Sequence, residues 1–387
     1  MSQVTGHYDV AVVGGGIVGI ANALSAAKRG NRVAIFDRDV TPCGASIRNF
    51  GMIWPVGQPA GELFELAMES RSIWLEIAAH TPLWVNRCGS LHVAHRRDEL
   101  AVLEEFVAER GTDMSLNMLT PQEAVRHSPG LRRDGLLAAM WSPHELGVNP
   151  PRAIPVLLQY LTDRYAVDCH LGTAINRLES DTLWASDGRR WRAGQIIICS
   201  GVDFQTLLPA EFESADVRRC KLHMMKTRRQ PDGFRIGPHL ASGLTLRHYR
   251  SFEGCESLAT LRQRVAEETP ELDRLGIHVM ASQNEDGEVI LGDSHEYGTS
   301  SPFDAAEIDE LILRELRKQF DLPDWTIAAR WHGFYAKHDT RPMVVLQPSA
   351  NIHVCVGTGG SGMTMSFGLA ERLWENTSYA TQGQLLA

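Results

Sequence analysis

The chain has 387 residues, 43% of them hydrophobic and 22% charged, and a formal net charge of −9. That length favours two interleaved domains with ample core, and an acidic balance without a long basic block excludes a nucleic-acid protein. No apolar run approaches the length of about 18 residues that a membrane span needs.

The N-terminus, MSQVTGHYDV, has neither a charged leader region nor an apolar one, so no targeting segment is expected. Seven cysteines (Cys43, Cys88, Cys169, Cys199, Cys220, Cys255, Cys355) are odd in number and form no C-x-x-C pair. They predict a reduced, metal-free, cytoplasmic protein.

Tyr8 to Val13 is a β-branched run suited to a buried parallel strand. Gly14, Gly16 and Gly19 follow in G-x-G-x-x-G spacing, Ile17 to Lys28 reads as a helix, and Arg32 to Phe36 is a second strand ending in Asp37. Gly14 permits the tight turn, Gly16 admits a pyrophosphate against the backbone, and Gly19 lets helix and strand pack closely. The helix N-terminus offers free N–H groups to phosphate. Asp37, 18 residues beyond Gly19, is placed to accept the hydroxyls of an adenosine ribose. This unit predicts dinucleotide binding.

A Gly- and Pro-rich loop comes next, with the core GASIRNFGM at residues 44–52. Such a loop can run along a dinucleotide with Arg48 offsetting phosphate charge, or be a surface loop with a solvated arginine. Glu62 to Ala79 is helical with Leu63, Leu66, Ala67, Ile73 and Ile77 as its apolar stripe. Trp84 to Val93 reads as a strand, Asp98 to Glu109 as a helix, and Thr120 to Val125 opens another after a Thr-Pro entry. Leu136 to Trp141 and Gly147 to Asn149 are extended, and Pro150 to Ala166 is a helix. Val167 to Leu178 and Thr182 to Trp191 form strands, and Gln195 to Cys199 leads into Ser200 and Gly201. A buried strand ending in small residues marks another close approach to the dinucleotide.

From Ala215 to about Trp331 the pattern becomes that of an antiparallel sheet: Lys221 to Thr227, Leu244 to Tyr249, Gly276 to Gln283 and Glu288 to Asp293, with a helix from Asp304 to Gln319. Asn351 to Val356 is then a strand, followed by Gly357 to Thr364 (GTGGSGMT) and a helix through Trp374. Gly357, Gly359 and Gly362 repeat the glycine spacing, but no strand with a terminal acid follows. Such a turn can instead offer N–H groups to a flavin carbonyl or ribityl oxygen.

The VVGGGIVG turn with Asp37, the GASIRNFG loop, IIICSG and GTGGSGMT together resemble the FAD-dependent D-amino-acid oxidase superfamily, in its glycine oxidase and sarcosine oxidase branch. Three stretches, GASIRNFGMIWPVGQ, GLTLRHYRSF and GIHVMASQ with ILGDSHEYG, are similar to a subfamily associated with bacterial phosphonate breakdown. The resemblance implies an α/β protein: a Rossmann-like FAD-binding domain (1–85, 147–214, 332–387) with an inserted antiparallel-sheet, α+β substrate domain (86–146, 215–331). By position, Gly14, Gly16, Gly19, Asp37 and Arg38 would hold the adenosine diphosphate, and Ser46, Arg48, Asn49, Gly51 and Met52 would track from pyrophosphate to ring. Ile175 would meet adenine, Ser200 and Gly201 would lie close to the cofactor, and Gly359, Gly360, Gly362, Met363 and Thr364 would cap the flavin.

Two departures carry consequences. Gly333 stands where sarcosine oxidases attach flavin through cysteine, which predicts non-covalent FAD. Ile290 takes the position of their oxygen-activating lysine, which leaves O₂ or another carrier open as the electron acceptor. The implied reaction is oxidation of a C–N bond in a small secondary amine bearing an acidic group, by hydride transfer and imine hydrolysis. An N-methyl aminophosphonate giving the primary amine and formaldehyde is favoured; glycine, sarcosine or a D-amino acid is the alternative. Tyr335 and Lys337 are the candidate catalytic pair, and His248, Arg250, His278, Ser294 and His295 join them as substrate-binding candidates. Each histidine has an ordinary structural role as its alternative. A regulatory protein without turnover has no use for the cations of the inserted sheet, and NAD-dependent hydride transfer fits less well because closure by GTGGSGMT suits a flavin ring.

Overall fold

The computed structural model describes residues 4–298 and 303–375. Residues 1–3 and 376–387, the ends of the expected segments 1–85 and 332–387, lie outside it.

Gly6–Val13 is apolar on both faces from Val10 onward, and it sits at the centre of a parallel sheet. Asp168–Leu171, Val33–Asp37, Gly6–Val13, Arg190–Ile198 and Ile352–Val356 run parallel in that order. Val344–Ser349 adds an antiparallel edge, and the hairpin Ile175–Glu179/Thr182–Ala185 joins the first half of Arg190–Ile198. On one face lie four helices, Ile17–Lys28, Glu62–Ala79, Pro150–Tyr165 and Gly362–Glu375. The stripe expected on Glu62–Ala79 is buried at Leu66, Ala67, Ile73 and Ile77, joined by Ser70 and Trp74, while Leu63 is only partly covered. The Thr120 entry is a capping box: its side chain accepts from the Glu123 N–H while Glu123 reaches back.

A second sheet of nine strands begins with Ile327–Lys337, then Arg218–Arg229, which pairs on its other side with Glu288–Gly292 and Glu296–Tyr297. Met280–Gln283, His239–Ala241, Ser90–Ala94, Ala138–Ser142 and Asn117–Leu119 continue it. All its pairs are antiparallel except His239–Ala241 with Ser90–Ala94. Ile327–Lys337 is one continuous strand, so a division between residues 331 and 332 falls inside it.

Five elements differ from expectation. The runs Val167 to Leu178 and Thr182 to Trp191 each break in two, into Asp168–Leu171 and Ile175–Glu179, and into Thr182–Ala185 and the start of Arg190–Ile198. The run from Trp84 to Val93 breaks into Val85–Asn86 and Ser90–Ala94, which join different sheets, because Gly89 turns between them at φ +63°. Leu244 to Tyr249 is not a strand. Thr245 N–H donates to the Ser242 carbonyl (3.0 Å) and His248 N–H to that of Thr245 (3.0 Å), closing a 3₁₀ turn at Gly243–Arg247, and Glu253 N–H donates to the Arg250 carbonyl (3.1 Å) to close a second at Arg250–Phe252. Alternating Leu244 and Leu246 are both buried, a pattern that a short 3₁₀ turn against a core satisfies as well as a strand. Of Gly276 to Gln283 only Met280–Gln283 is strand, although the backbones of His278 and Asp293 still exchange hydrogen bonds (3.3 and 2.9 Å).

Candidate active site

The glycine turn is built as its spacing requires. Gly14 has φ +117°, and a Cβ there would lie 2.2 Å from the Cys199 carbonyl oxygen. A Cβ on Gly19 would lie 1.9 Å from the Gly14 oxygen, so Gly19 holds helix against strand and does not reach the cavity wall. The Ile17 N–H donates to Ser46 Oγ (2.9 Å), and the first helical turn carries no acidic residue. Asp37 Oδ2 accepts from the Gly15 N–H (2.7 Å) and Oδ1 from the Asp39 N–H (2.9 Å). Its carboxylate therefore braces the turn while bordering the cavity.

That cavity has a volume of about 830 Å³. Its wall includes Gly14, Gly16, Asp37, Arg38, Ser46, Arg48, Asn49, Met52, Ile175, Ser200, Gly201, Gly359, Gly360, Gly362, Met363 and Thr364. Gly51, turning at φ +73°, stays behind the wall with Gly19. Asn49 is committed to its own loop: its amide donates to the Ala45 and Ser46 carbonyls (both 3.0 Å) and its Oδ1 accepts from Gly51 (2.8 Å). Arg38 pairs with Asp203. Arg48 makes no salt bridge among the described residues. Thr364 Oγ1 accepts from the Trp54 N–H (2.9 Å), joining the two glycine-rich segments.

The same cavity is lined by residues of the large sheet: Tyr335 and Lys337 from Ile327–Lys337, His248 and Arg250 from the 3₁₀ turns, and His278 and His295. Ser294 is not among them; it is fully buried, and its Oγ accepts from the His223 N–H (3.2 Å). Tyr335 is buried, and desolvation holds its phenol in the neutral form. Lys337 Nζ donates to Tyr297 Oη (3.0 Å), and burial lowers its pKa. Arg250 is exposed at the rim, where Nη1 donates to the Thr340 carbonyl (2.8 Å). Burial also lowers His248 and His278, and brings His295 down to about 4.

Two wall residues were not singled out in the sequence. Asp293 (5% exposed) lies with Oδ1 3.4 Å from His278 Nε2 and Oδ2 3.7 Å from His295 Nε2. Tyr249 packs its ring against His248 and His278. The only signal for Asp293 was its place two residues before His295; nothing in spacing pairs it with His278.

The family model described as FAD dependent oxidoreductase (DAO) matches residues 9–375. The chain belongs to that family. A glycine oxidase from Geobacillus kaustophilus is 28% identical over 209 residues, covering 51% of this chain and 55% of that protein; the chain thus spans about half the length of this curated relative. Among solved structures, glycine oxidase from Bacillus cereus superposes with TM-score 0.74 at 18% identity, over 95% of this chain and 94% of that one. L-proline dehydrogenase from P. horikoshii gives TM-score 0.74 at 18% identity over 97% and 93%. These likenesses establish a shared fold, a Rossmann-like domain with a sheet domain.

FAD is the cofactor of the family, and the wall fits such a group. The glycine turn leaves no room for side chains where backbone must approach it. Two helices, Ile17–Lys28 and Gly362–Glu375, start at the wall without an acidic side chain in their first turns. Cys199 and Cys355 also line the cavity, but burial pushes both thiols up, Cys355 to about 12, so neither is a thiolate. Among the described residues, no helix is long and apolar enough to cross a membrane.

Proposed function

We propose that the chain oxidises the C–N bond of a small secondary amine that carries an acidic group, with FAD held non-covalently. The observation that carries this reading is the cavity itself, in which the glycine-rich nucleotide turn and a cluster of cations and imidazoles share one wall. A neutral-amine enzyme would have little use for Lys337 and three histidines in the same space, since each costs desolvation unless an anion repays it, nor for Arg250 exposed at their rim. Gly14, Gly16, Asp37, Ser46, Arg48 and the segment 359–364 are assigned to the dinucleotide; Tyr335, Lys337, Arg250, His248, His278 and His295 are assigned to the substrate. Residues 86–146 and 215–331 are read as the substrate domain, with the strand Ile327–Lys337 common to both parts.

Bound FAD supplies the two-electron acceptor for a hydride from the carbon next to nitrogen. The protein's own part is positioning and dryness. Tyr335, kept neutral by its burial, presents an uncharged donor to the cavity, and the lowered Lys337 can hold the acidic group or relay a proton at Nζ. Positioning of this kind accounts for much of the barrier lowering available to such a reaction. The favoured substrate is an N-methyl aminophosphonate such as N-methyl-2-aminoethylphosphonate. Loss of two electrons gives an imine, and its hydrolysis gives the primary amine and formaldehyde; O₂, reduced to H₂O₂, is the acceptor. The reaction would take place in the cytoplasm.

A second reading keeps the chemistry and changes the acceptor. Ile290 is buried with Cys220, Leu222, Met224 and Tyr335, and the lysine paired across from it, Lys226, is engaged by Glu288 (2.8 Å). No lysine occupies that position, which favours a carrier other than O₂. Anaerobic mixing of the holoenzyme with N-methylated amino acids and aminophosphonates tests both readings. Flavin bleaching fastest with an aminophosphonate supports the first substrate choice, and faster bleaching with sarcosine or glycine reverses it. Slow reoxidation in air after bleaching would favour the second acceptor.

A further inference from the structure

His248, His278 and His295 come from three separate segments and meet inside the cavity, with ring nitrogens within 4.8 Å of one another. The rings of His278 and His295 are stacked, 5.0 Å apart and 12° from parallel. His248 lies 4.0 Å from His278 and 4.3 Å from His295, at 33° and 35°. Both ring nitrogens of His278, a side chain only 3% exposed, lack a hydrogen-bond partner among the described residues. Asp293 Oδ1 stands 3.4 Å from its Nε2 without completing a hydrogen bond, and a buried imidazole left so is costly unless a ligand completes it.

A metal ion is the first ligand to consider, and the ring geometry disfavours it. Zinc needs in-plane lone pairs converging at about 2.0–2.1 Å. The stacked pair His278 and His295, 5.0 Å apart and 12° from parallel, sends its lone pairs alongside one another instead, and only His248 is tilted to them, at 33° and 35°. A tetrahedral oxyanion suits the same arrangement. Its oxygens spread outward, and charge-assisted bonds of about 2.7–2.9 Å let donors that stand well apart each take a different oxygen.

The surrounding charges agree. On the segments carrying His248, Arg247 is turned away by its pair with Asp273, while Arg250 has no carboxylate partner among the described residues. From the strand Ile327–Lys337, Lys337 likewise has none, and Tyr335 faces the cluster uncharged. From Arg218–Arg229, Cys220 is a neutral thiol and Arg218 is paired with Asp339. Glu253 acts on the cluster only through Lys337, and Tyr249 is neutral. Among the described residues, Asp293 is the single acid in contact with the three histidines. Its burial favours the protonated form, so it does not by itself repel an anion. His295 Nδ1 meets the Gly276 carbonyl (3.2 Å), which leaves Nε2 as the atom that gains a proton.

We propose that His248, His278 and His295 are the oxyanion subsite of this cavity, recognising a doubly charged tetrahedral head group of the phosphonate class and taking up a proton from solvent as it binds. The proposal rests on the amine-oxidation reading for the rest of the substrate. Desolvation and mutual repulsion favour the neutral imidazoles of His248 and His278. A dianion raises their proton affinity, so binding is favoured below the bound-state pKa and weakens as pH rises.

The test is isothermal titration of the FAD-loaded protein with sulfate, whose charge does not change between about pH 6 and 8, repeated in buffers of different ionisation enthalpy. Sulfate Kd should rise about tenfold per pH unit for each proton taken up, and the buffer dependence should report about one proton. His278→Gln and His295→Gln should each weaken binding about 10- to 100-fold and reduce the uptake. Flavin absorbance confirms that each variant still holds its cofactor. Sulfate that fails to saturate, a wild-type Kd flat with pH, or unchanged binding in both variants would overturn the subsite, the first two without relying on a variant that folds. One zinc ion bound per chain and lost in the same variants would overturn it in favour of a metal site. Sulfate binding is read without turnover, so a failure of every amine to bleach the flavin leaves this test standing.

Discussion

Asp37→Ala separates a ribose-binding carboxylate from one that only braces a turn. In the structure its oxygens accept from Gly15 (2.7 Å) and Asp39 (2.9 Å), and both bonds exist with or without a ligand. Losing them lowers the stability of the turn, at about 1.5–3 kcal/mol for each bond to a charged acceptor. If the carboxylate also accepts the ribose hydroxyls, FAD affinity loses a further contact of the same kind, which is about 10- to 100-fold in Kd. Asp37→Asn is the informative companion. It keeps one acceptor oxygen and loses the charge, so it can brace Gly15 or Asp39 but not both while serving the ribose. Apo-protein titrated with FAD, followed by quenching of flavin fluorescence, should give Kd rising from wild type through Asn to Ala. Thermal melting in the absence of FAD measures the bracing term separately. An apo melting point that falls while FAD Kd stays within about threefold of wild type would refute the ribose role and leave Asp37 as a turn residue.

Acid precipitation should leave a white pellet and free FAD in the supernatant, since Gly333 stands where the linking cysteine would be; a yellow, denatured pellet would contradict the non-covalent reading. Lys337→Met should lower kcat/KM for an acidic amine by about 10- to 100-fold, the range for a charged hydrogen bond. Arg250→Met, at the solvent-exposed rim, should cost less, about tenfold or below. Both losses should shrink for an amine lacking the acidic group, and equal losses for the two substrates would remove these residues from anion recognition. Glu145 is fully buried, accepting from the Val56 N–H (3.1 Å) and Ser90 Oγ (3.0 Å), so Glu145→Ala should cost about 2–4 kcal/mol by stranding those donors. Burial raises its pKa. The folded state therefore holds this proton more tightly than the unfolded one, and the wild type loses stability relative to Glu145→Gln as pH rises through the unfolded Glu value. Urea midpoints of the two proteins that stay parallel from about pH 4 to 7 would show that Glu145 titrates normally.

The nucleotide turn was legible because each of its residues has a local reason. Gly14 is set by a backbone conformation and a carbonyl 2.2 Å from where its Cβ would stand, and both constraints follow from the strand–turn–helix order itself. The helix Glu62–Ala79 was legible for a similar reason: a stripe at helical spacing needs only one partner face, whichever helix provides it. The inserted sheet was harder. The alternation at Leu244 and Leu246 satisfies a strand and a 3₁₀ turn equally, and the choice is made by the core beneath and by i→i+3 bonds that no periodicity announces. Gly243, whose Cβ would collide with Glu99, shows what decides it: a helix from elsewhere in the chain already occupies that space.

The histidine cluster marks the limit of reading by segment. Each of its members was visible as a candidate, yet their mutual placement depends on pairings between distant strands. His278 faces Asp293 because their backbones exchange hydrogen bonds next to the Met280–Gln283/Glu288–Gly292 ladder. His248 reaches them only because its segment folds into turns and not into the strand its sequence suggested. Ser294, between Asp293 and His295, illustrates the converse. Its neighbours face the cavity, while its hydroxyl meets the His223 backbone, and one residue of displacement changes which surface it serves. A side-chain cluster assembled by register is thus specified by the packing that fixes the register. The buried aliphatic residues Met280, Val289 and Leu291 therefore bear on the site as directly as the imidazoles do: a slip of that ladder by one residue would exchange His278 and Asp293 for their neighbours and dissolve the cluster without altering any residue in it.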